Sequence, residues 1–237
     1  NTPPPKRTIQ QSYTYGSSGM RGGGGSRIIM GSAPLAPLAT MASYNTQSGG
    51  CCARGSKIKM ADGTIKNVED IHKNEKVMTI NINTNKVDVT KIEAVISTKC
   101  ENNYEYMVEI DNLKITPYHP IYVNEKWMFP IDISEPKKIN CFDMFTFVTT
   151  DRKPVIVDDH IFATFGHHQK GDVIEHDYFG TDKIIKDLKC FTTYNFGYVH
   201  LTKDMFHREN GKVNKIIDIK ITSFKTNIVE LYMTANL

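Results

Sequence analysis

The sequence lacks any apolar run of the roughly 18 residues that a membrane-spanning helix needs. No signal-peptide pattern opens the chain either. We therefore expect no membrane span. The first residue is Asn1 rather than Met, so the sequence is expected to be a piece of a longer protein.

The five cysteines include no C-x-x-C pair, the spacing typical of structural zinc sites. We therefore expect neither a metal nor another cofactor. Their odd number favours a reducing compartment, in which thiols stay free, so a cytoplasmic location is predicted. Two disulfides plus one free thiol are the alternative.

Acidic residues are absent from the first fifth of the chain. Residues 1–50 carry four basic residues and no acid, so residues 51–237 carry a net charge of −1 within the total of +3. A nucleic-acid-binding domain would need a basic patch on its folded part. The charge distribution therefore predicts no nucleic-acid partner, and we expect a monomer.

The same leader is rich in residues that do not build a core. Residues 1–50 hold nine of the sixteen glycines and five of the ten prolines, together with many Ser, Thr and Gln residues. Such a segment buries too little apolar area to offset its ordering entropy. It is therefore predicted to be a disordered, flexible linker, in which only Ile28-Ile29-Met30 is apolar.

From residue 56 onward, short apolar segments alternate with turn signals, a pattern that predicts an all-β fold. Asp62-Gly63 predicts a hairpin, and the change of inward register between Val89 and Ile92 predicts a bulge or bend. Asp182 to Leu188 is the one segment predicted to be a helix, capped by Thr181 or Asp182. Alternation predicts that one face of strand 104–110 is buried and that strands continue through Ile216–Ile221.

A cysteine stands where the leader meets this β region. The Cys51 thiol can attack the preceding Gly50 carbonyl through a five-membered ring, which gives the reaction a large proximity advantage. The departing peptide nitrogen must be protonated, which suits a histidine. His119 is bracketed by Pro117 and Pro120 and is therefore predicted to lie in a rigid turn between strands.

Three blocks in order resemble the Hint superfamily, which comprises Hedgehog autoprocessing domains and inteins. They are Cys51 with Gly55, Ser56 and Ile58; then Thr116-Pro117-Tyr118-His119; then Phe142-Asp143-Met144-Phe145. The resemblance implies a horseshoe-like β fold and catalytic roles for Cys51, Thr116, His119 and Asp143. It also implies conversion of the Gly50–Cys51 bond into a thioester by an N–S acyl shift, a single-turnover, cysteine-dependent self-cleavage.

Two further stretches resemble the Hint domains that accompany von Willebrand factor A domains in eukaryotic microbes. They are Pro117 to Pro130 and the extension that begins at Phe165-Gly166-His167 and continues through His176 to Leu188. This implies an upstream von Willebrand factor A domain as partner. The predicted organisation is a linker at 1–50, a Hint core at 51–164, and a mostly β extension at 165–237 packed on or beside it.

The sequence departs from splicing inteins at their last strand. Ile161-Phe162-Ala163-Thr164 contains no His-Asn pair, so asparagine cyclisation and splicing are not expected. The predicted outcome is release or transfer of the protein's own N-terminal segment to an unidentified acceptor: water, an amine, a thiol or an alcohol.

Other interpretations stand beside this one. The domain could be a catalytically silent binding or spacer module of a von Willebrand factor A protein, or a secreted metal-binding β domain. Cys52 is expected to be core rather than nucleophile, and Cys100, Cys141 and Cys190 to be buried structural thiols. Tyr194, Tyr198 and Phe206 are expected in the core. His167, His168, Asp172 and His176 match no standard metal spacing and are interpreted as loop residues.

Overall fold

The computed structural model of the protein describes residues 50–219. The predicted linker, including Ile28-Ile29-Met30, lies outside the described residues apart from Gly50, and so do residues 220–237. Within residues 50–219, no helix is long and apolar enough to cross a membrane.

The described part of the chain is predominantly β, as the sequence predicts. The α-helix α1 spans Asp182–Leu188, Ile219 at the end of the described residues is also α-helical, and the remaining helical segments are short 3₁₀ turns. The strands are β1 Cys52–Ala53, β2 Lys57–Lys59, β3 Ile65–Asn67, β4 Lys76–Asn81, β5 Lys86–Lys99, β6 Tyr104–Ile110, β7 Leu113–Ile115, β8 Ile121–Val123, β9 Lys126–Met128, β10 Lys137–Asn140, β11 Asp143–Thr149, β12 Val155–Val157, β13 His160–Phe162, β14 Tyr198–Leu201, β15 Phe206–Glu209 and β16 Lys212–Ile216.

Two sheets carry most of these strands. The larger has the order β10-β6-β7-β1-β11-β5-β14, with β4 also paired to β5; the second has the order β3-β2-β12-β13-β8-β9. The predicted Asp62-Gly63 hairpin is confirmed, because it joins the antiparallel strands β2 and β3. The main core includes side chains from both sheets, among them Ile58, Phe145 and Phe162.

The long strand β5 connects different parts of the fold. Its first half, up to Lys91, pairs with β4, and its second half, from Ile92, pairs with β11. The irregularity expected between Val89 and Ile92 therefore coincides with this change of partner. The register shift follows at once, because Val148 and Thr149 of β11 face Ala94 and Ile92 and leave Glu93 of β5 as the extra residue.

Residues 165–216 pack on this strand. β14 extends the sheet as a parallel neighbour of β5. α1, β15 and β16 contribute to a second core together with Ala94 and Ile96 of β5 and Val148 of β11.

Several burial and strand predictions are wrong. Tyr106 is 55% exposed, whereas its neighbour Met107, on the opposite face of β6, is fully buried. The face that was predicted to be buried, which carries Tyr106, is therefore not buried along its whole length. Tyr198 is 41% exposed, whereas Tyr194 and Phe206 are buried as expected. Cys190 is exposed because it follows α1 and its thiol turns back to the Lys186 carbonyl in the last helical turn. Residues 217–219 are not in a strand, since β16 ends at Ile216.

Candidate active site

The Gly50–Cys51 peptide lies at the start of β1, between neighbouring strands. The Cys51 N–H donates to Thr116 Oγ1 at 3.0 Å, and the Thr116 N–H donates to the Cys51 carbonyl at 2.9 Å. Thr116 directly follows β7, which pairs with β1. The predicted residues Cys51 and Thr116 therefore meet because two short strands are adjacent. The first bond holds the Gly50–Cys51 peptide, and the second holds the Cys51–Cys52 peptide.

His119 follows in the turn after β7. Its N–H donates to the Thr116 carbonyl at 3.2 Å, which closes the turn that the two flanking prolines favour. The side chain is 3% exposed, and its ring stacks on Phe162 with centroids 3.7 Å apart. The ring is thus held by both the turn and the core.

The hydrogen bonds of His119 define its tautomer. Nε2 lies 2.8 Å from the Ala163 carbonyl, which only accepts, so the proton is on Nε2 and Nδ1 keeps its lone pair. Burial lowers the pKa of His119 to about 4, and the backbone groups of Gly50 and Ala163 oppose this shift. The imidazole is therefore neutral at pH 7.

Nδ1 of His119 faces Gly50 at very close range. A Cβ built on Gly50 would lie 2.1 Å from Nδ1 and 2.4 Å from Cγ of the histidine. Only glycine fits at this position, because a side chain would overlap the ring. The position of His119 thus restricts the residue before Cys51 to glycine.

The Cys51 thiol lies in a small cluster that includes Cys100, Met107 and Cys141. Burial raises its pKa to about 12; a hydrogen bond with Thr98 lowers the pKa, and Cys141 and Glu105 raise it further. The thiol is therefore protonated at neutral pH. Thr98 and Glu105 lie outside the motif blocks and Cys141 directly precedes the third block, and no pattern indicated that the three would surround the thiol.

The Cys52 side chain lies on the opposite side of the chain from that of Cys51, as expected for successive residues in extended backbone. It is fully buried in the main core, and its thiol donates to the Phe145 carbonyl at 3.4 Å. Burial raises the pKa of Cys52 well above its ordinary value. These features fit the interpretation of Cys52 as a core residue.

Asp143, the fourth predicted residue, is the first residue of β11. Arg54 donates from Nε to Oδ1 at 2.8 Å and from one terminal nitrogen to Oδ2 at 2.6 Å, a two-point ion pair. The carboxylate raises the pKa of Arg54. The fold thus brings Cys51, Thr116 and His119 together, whereas the Asp143 carboxylate is held by Arg54.

A small cavity adjoins the scissile peptide. Its volume available to water centres is about 20 Å³, and its lining comprises Gly50, His119, Pro120, Ala163, Thr164, Phe165, His167 and Phe179. His167 is 7% exposed, and burial lowers its pKa to about 3, with His119, His168 and His176 adding to the shift. Nothing in the sequence pattern indicated that this histidine would approach Gly50.

The other extension histidines have their own partners. Nδ1 of His176 accepts from the Tyr178 and Phe179 N–H groups, both at 3.1 Å, and His168 Nε2 lies 3.2 Å from the Asp182 carboxylate. In the part of the chain that the structure describes, no group of three or more His, Cys, Asp or Glu side chains is arranged to hold a metal ion.

The family model for the Hint domain named Vint matches residues 50–217, well over half of the chain. The chain belongs to the Hint-domain family. Its fold is therefore a Hint-type β fold, and membership is consistent with self-processing, as a protease or acyl-transfer activity, in general terms. A comparison with curated proteins found no significant match.

Several solved structures are similar to about half of the chain. The intein-like domain from Clostridium thermocellum is 17% identical, with 50% of this chain and 99% of that one covered and a TM-score of 0.42. The DnaB intein from Synechocystis is 16% identical, with 49% and 99% covered and a TM-score of 0.39. A variant of the Ssp DnaB mini-intein is 15% identical, with 50% and 96% covered and a TM-score of 0.41.

Proposed function

We propose that this Hint domain cleaves its own chain at Gly50–Cys51 by an N–S acyl shift, without splicing. The observation that carries the proposal is the placement of this peptide. Its nitrogen is bound by Thr116, and the unprotonated Nδ1 of His119 faces Gly50. The N-terminal segment is thus the substrate, and the reaction occurs once per chain.

The acyl shift exchanges one bond for another. Cys51 Sγ forms a bond to the Gly50 carbonyl carbon, the Gly50–Cys51 C–N bond breaks, and in net terms a proton moves from the thiol to the Cys51 nitrogen. Two groups share this transfer: the thiol gives up its proton by way of Asp143, and Nδ1 of His119 delivers a proton to the nitrogen, with solvent closing the exchange. Because the pKa of His119 is about 4, its protonated ring is a strong acid toward the departing nitrogen.

The thiol needs help to react, since burial raises the pKa of Cys51 to about 12. The family resemblance assigns this help to Asp143. The Arg54 pair holds that carboxylate, so the role requires the pair to open or to shift during the reaction. Proton removal and attack are therefore expected to be coupled rather than sequential.

The wider context of the domain rests on sequence resemblance. We place a von Willebrand factor A domain upstream, a linker at 1–50, the Hint core at 51–164 and an extension at 165–237. The acceptor of the thioester is water, an amine, a thiol or an alcohol, and the released product is the N-terminal segment.

A catalytically silent binding module is the alternative. It is favoured by the deep burial of the Cys51 thiol, whose relative exposure is 1%, and by the engagement of Asp143 with Arg54. A domain with these features could retain the fold while the nucleophile stays inactive.

Intact-mass measurement of the purified wild-type chain and Cys51→Ala separates the two functions. Self-cleavage predicts loss of the leader from the wild type, faster with hydroxylamine or dithiothreitol, and none from Cys51→Ala. Cys52→Ala is the matched control and should cleave as the wild type does. If the wild-type chain stays uncleaved with both reagents, self-cleavage is contradicted and the silent binding module is the function that remains. Cleavage that stops in Cys52→Ala but continues in Cys51→Ala would reassign the nucleophile.

A further inference from the structure

His167 is a buried histidine that the acyl shift does not use. It comes from the extension, yet it lines the same small cavity as Gly50 and His119. The cavity offers about 20 Å³ to water centres, and one water needs about 10–15 Å³ by this measure. Ala163, Phe165 and Phe179 close the apolar side of the space. The cavity thus has room for one water beside the scissile peptide.

The loop that carries His167 is fixed by its backbone. The Gly166 N–H donates to the Phe179 carbonyl at 2.8 Å, and the His168 N–H donates to the Gly180 carbonyl at 2.9 Å. A Cβ on Gly180 would lie 3.0 Å from Cε1 of His167. Gly180 therefore leaves room for the ring at this position.

The tautomer of His167 is complementary to that of His119. The Gln169 N–H donates to Nδ1 of His167 at 3.0 Å, so the proton of the neutral ring is on Nε2. His119 has the opposite arrangement, because its Nε2 donates to the Ala163 carbonyl and its Nδ1 is an acceptor. The two rings are close enough for a charge on His119 to lower the pKa of His167. His167 thus offers a donor at the cavity, while Nδ1 of His119 is an acceptor buried against Gly50 as long as the peptide is intact.

We propose that water resolves the Gly50 thioester, and that His167 is the catalytic residue that holds this water through its Nε2–H. The proposal rests on the acyl shift proposed above and names the acceptor. The water oxygen bonds to the Gly50 carbonyl carbon as the C–S bond breaks. One of its protons passes to Nδ1 of His119, which the break of the Gly50–Cys51 bond uncovers, and then to the departing Cys51 sulfur. The products are a leader ending in the Gly50 carboxylate, a domain with a free Cys51 amine and thiol, and one proton released to solvent.

Two substitutions of His167 test the donor. In His167→Asn, the side-chain oxygen keeps an acceptor for the Gln169 N–H but no donor reaches the position of Nε2. In His167→Gln, the amide nitrogen reaches that position. His168→Ala changes the adjacent, exposed histidine and is the matched control. Thioester is measured by acid quench and unfolding followed by hydroxylamine, and leader release by intact mass.

We expect His167→Asn to form the thioester as the wild type does but to release the leader at least about tenfold more slowly, since a lost hydrogen bond to the water raises the barrier. His167→Gln should recover part of the release rate, and His168→Ala should match the wild type. In heavy-oxygen water, the Gly50 carboxylate of the released leader should carry one solvent oxygen. Ala163→Val narrows the cavity and should also slow release; thioester formation is measured in the same sample, because the Ala163 carbonyl holds His119.

Different failures have different meanings. Unchanged release in both His167→Asn and Ala163→Val would overturn the proposal, as would a leader joined to a group other than solvent oxygen. Loss of thioester formation in folded His167→Asn would move His167 to the first step and overturn its assignment to resolution. Absence of thioester and of cleavage in the wild type would instead defeat the self-cleavage function itself.

Discussion

The approach of His119 to Gly50 restricts the residue that precedes Cys51. Displacement of the His119 ring costs free energy, because the ring stacks on Phe162 and its Nε2 is bound to the Ala163 carbonyl. A substitution at Gly50 must therefore displace either the histidine or the scissile peptide. Both belong to the reacting geometry.

We predict that Gly50→Ala reduces self-cleavage by roughly 100-fold, the loss expected from a misplacement of about 1 Å. The new Cβ would meet Nδ1 at 2.1 Å, so the peptide would leave its position under the histidine. Leader release by intact mass and thermal unfolding by circular dichroism measure the two consequences.

The double variant Gly50→Ala/His119→Ala is the control for this clash. Removal of the ring should restore much of the stability lost in Gly50→Ala without restoring cleavage, a coupling that a double-mutant cycle measures. Cleavage of Gly50→Ala at the wild-type rate would contradict the close approach.

The proximity of Thr116 and His119 to the Gly50–Cys51 peptide was predictable, whereas the other neighbours of the site were not. The order of the short motifs along the chain indicated this proximity. In the structure it arises because β1, which follows Cys51, pairs with β7, which precedes Thr116 and His119. The pairing of Asp143 with Arg54 depends on the register of β1 against β11, which no local pattern specifies. The position of His167 depends on how the extension packs. The spacing of the histidines in the sequence therefore predicted only that His167 lies in a loop.

At the scale of elements, local signals were reliable and non-local ones were not. The helix predicted over 182–188 is confirmed with the same bounds, and Thr181 caps it by accepting from the Lys183 N–H. These features involve residues only a few positions apart. The exposure of Tyr106 in β6 instead depends on which neighbouring strand and cluster cover each face, and alternation alone predicted it wrongly.

One carboxylate links three parts of the extension. Asp187 Oδ2, in the last turn of α1, accepts from the Tyr178 hydroxyl at 2.7 Å and from the Ile216 N–H at 3.0 Å. The helix, the preceding loop and the end of β16 are thereby joined. The same loop carries Phe179, which packs beside the cavity near His167.

We predict that Asp187→Ala lowers the free energy of unfolding by about 2 kcal/mol, because two buried donors lose their acceptor. Urea unfolding of the Cys51→Ala background measures this without interference from cleavage. Asp172→Ala, in an exposed loop position, is the control and should change stability little. Equal stability of Asp187→Ala and Asp172→Ala would show that the Asp187 link is not stabilising.

For the whole molecule, burial of neutral histidines makes stability depend on pH. Burial lowers the pKa of His119 to about 4, of His167 to about 3 and of His176 to about 4, all from an ordinary value of 6.5. His119 lies beneath the scissile bond, and the other two belong to the extension. The unfolded chain therefore binds more protons than the folded chain once the pH falls below 6.5.

We predict that the free energy of unfolding of Cys51→Ala is highest above pH 6.5 and falls steeply between pH 6.5 and 4.5. In this range the pH stays above the ordinary pKa of a carboxyl group, so histidines dominate the change. Each fully shifted histidine contributes roughly 3 to 5 kcal/mol to the total loss, which is complete only below the folded pKa values. Urea titrations at successive pH values measure the slope. Adding His119→Asn should make it shallower, whereas His207→Asn, at an exposed strand position, should leave it unchanged. A flat profile across this window would mean that the three rings accept protons in the folded state, and hence that the acid form of His119 is available near neutral pH without cost to the fold.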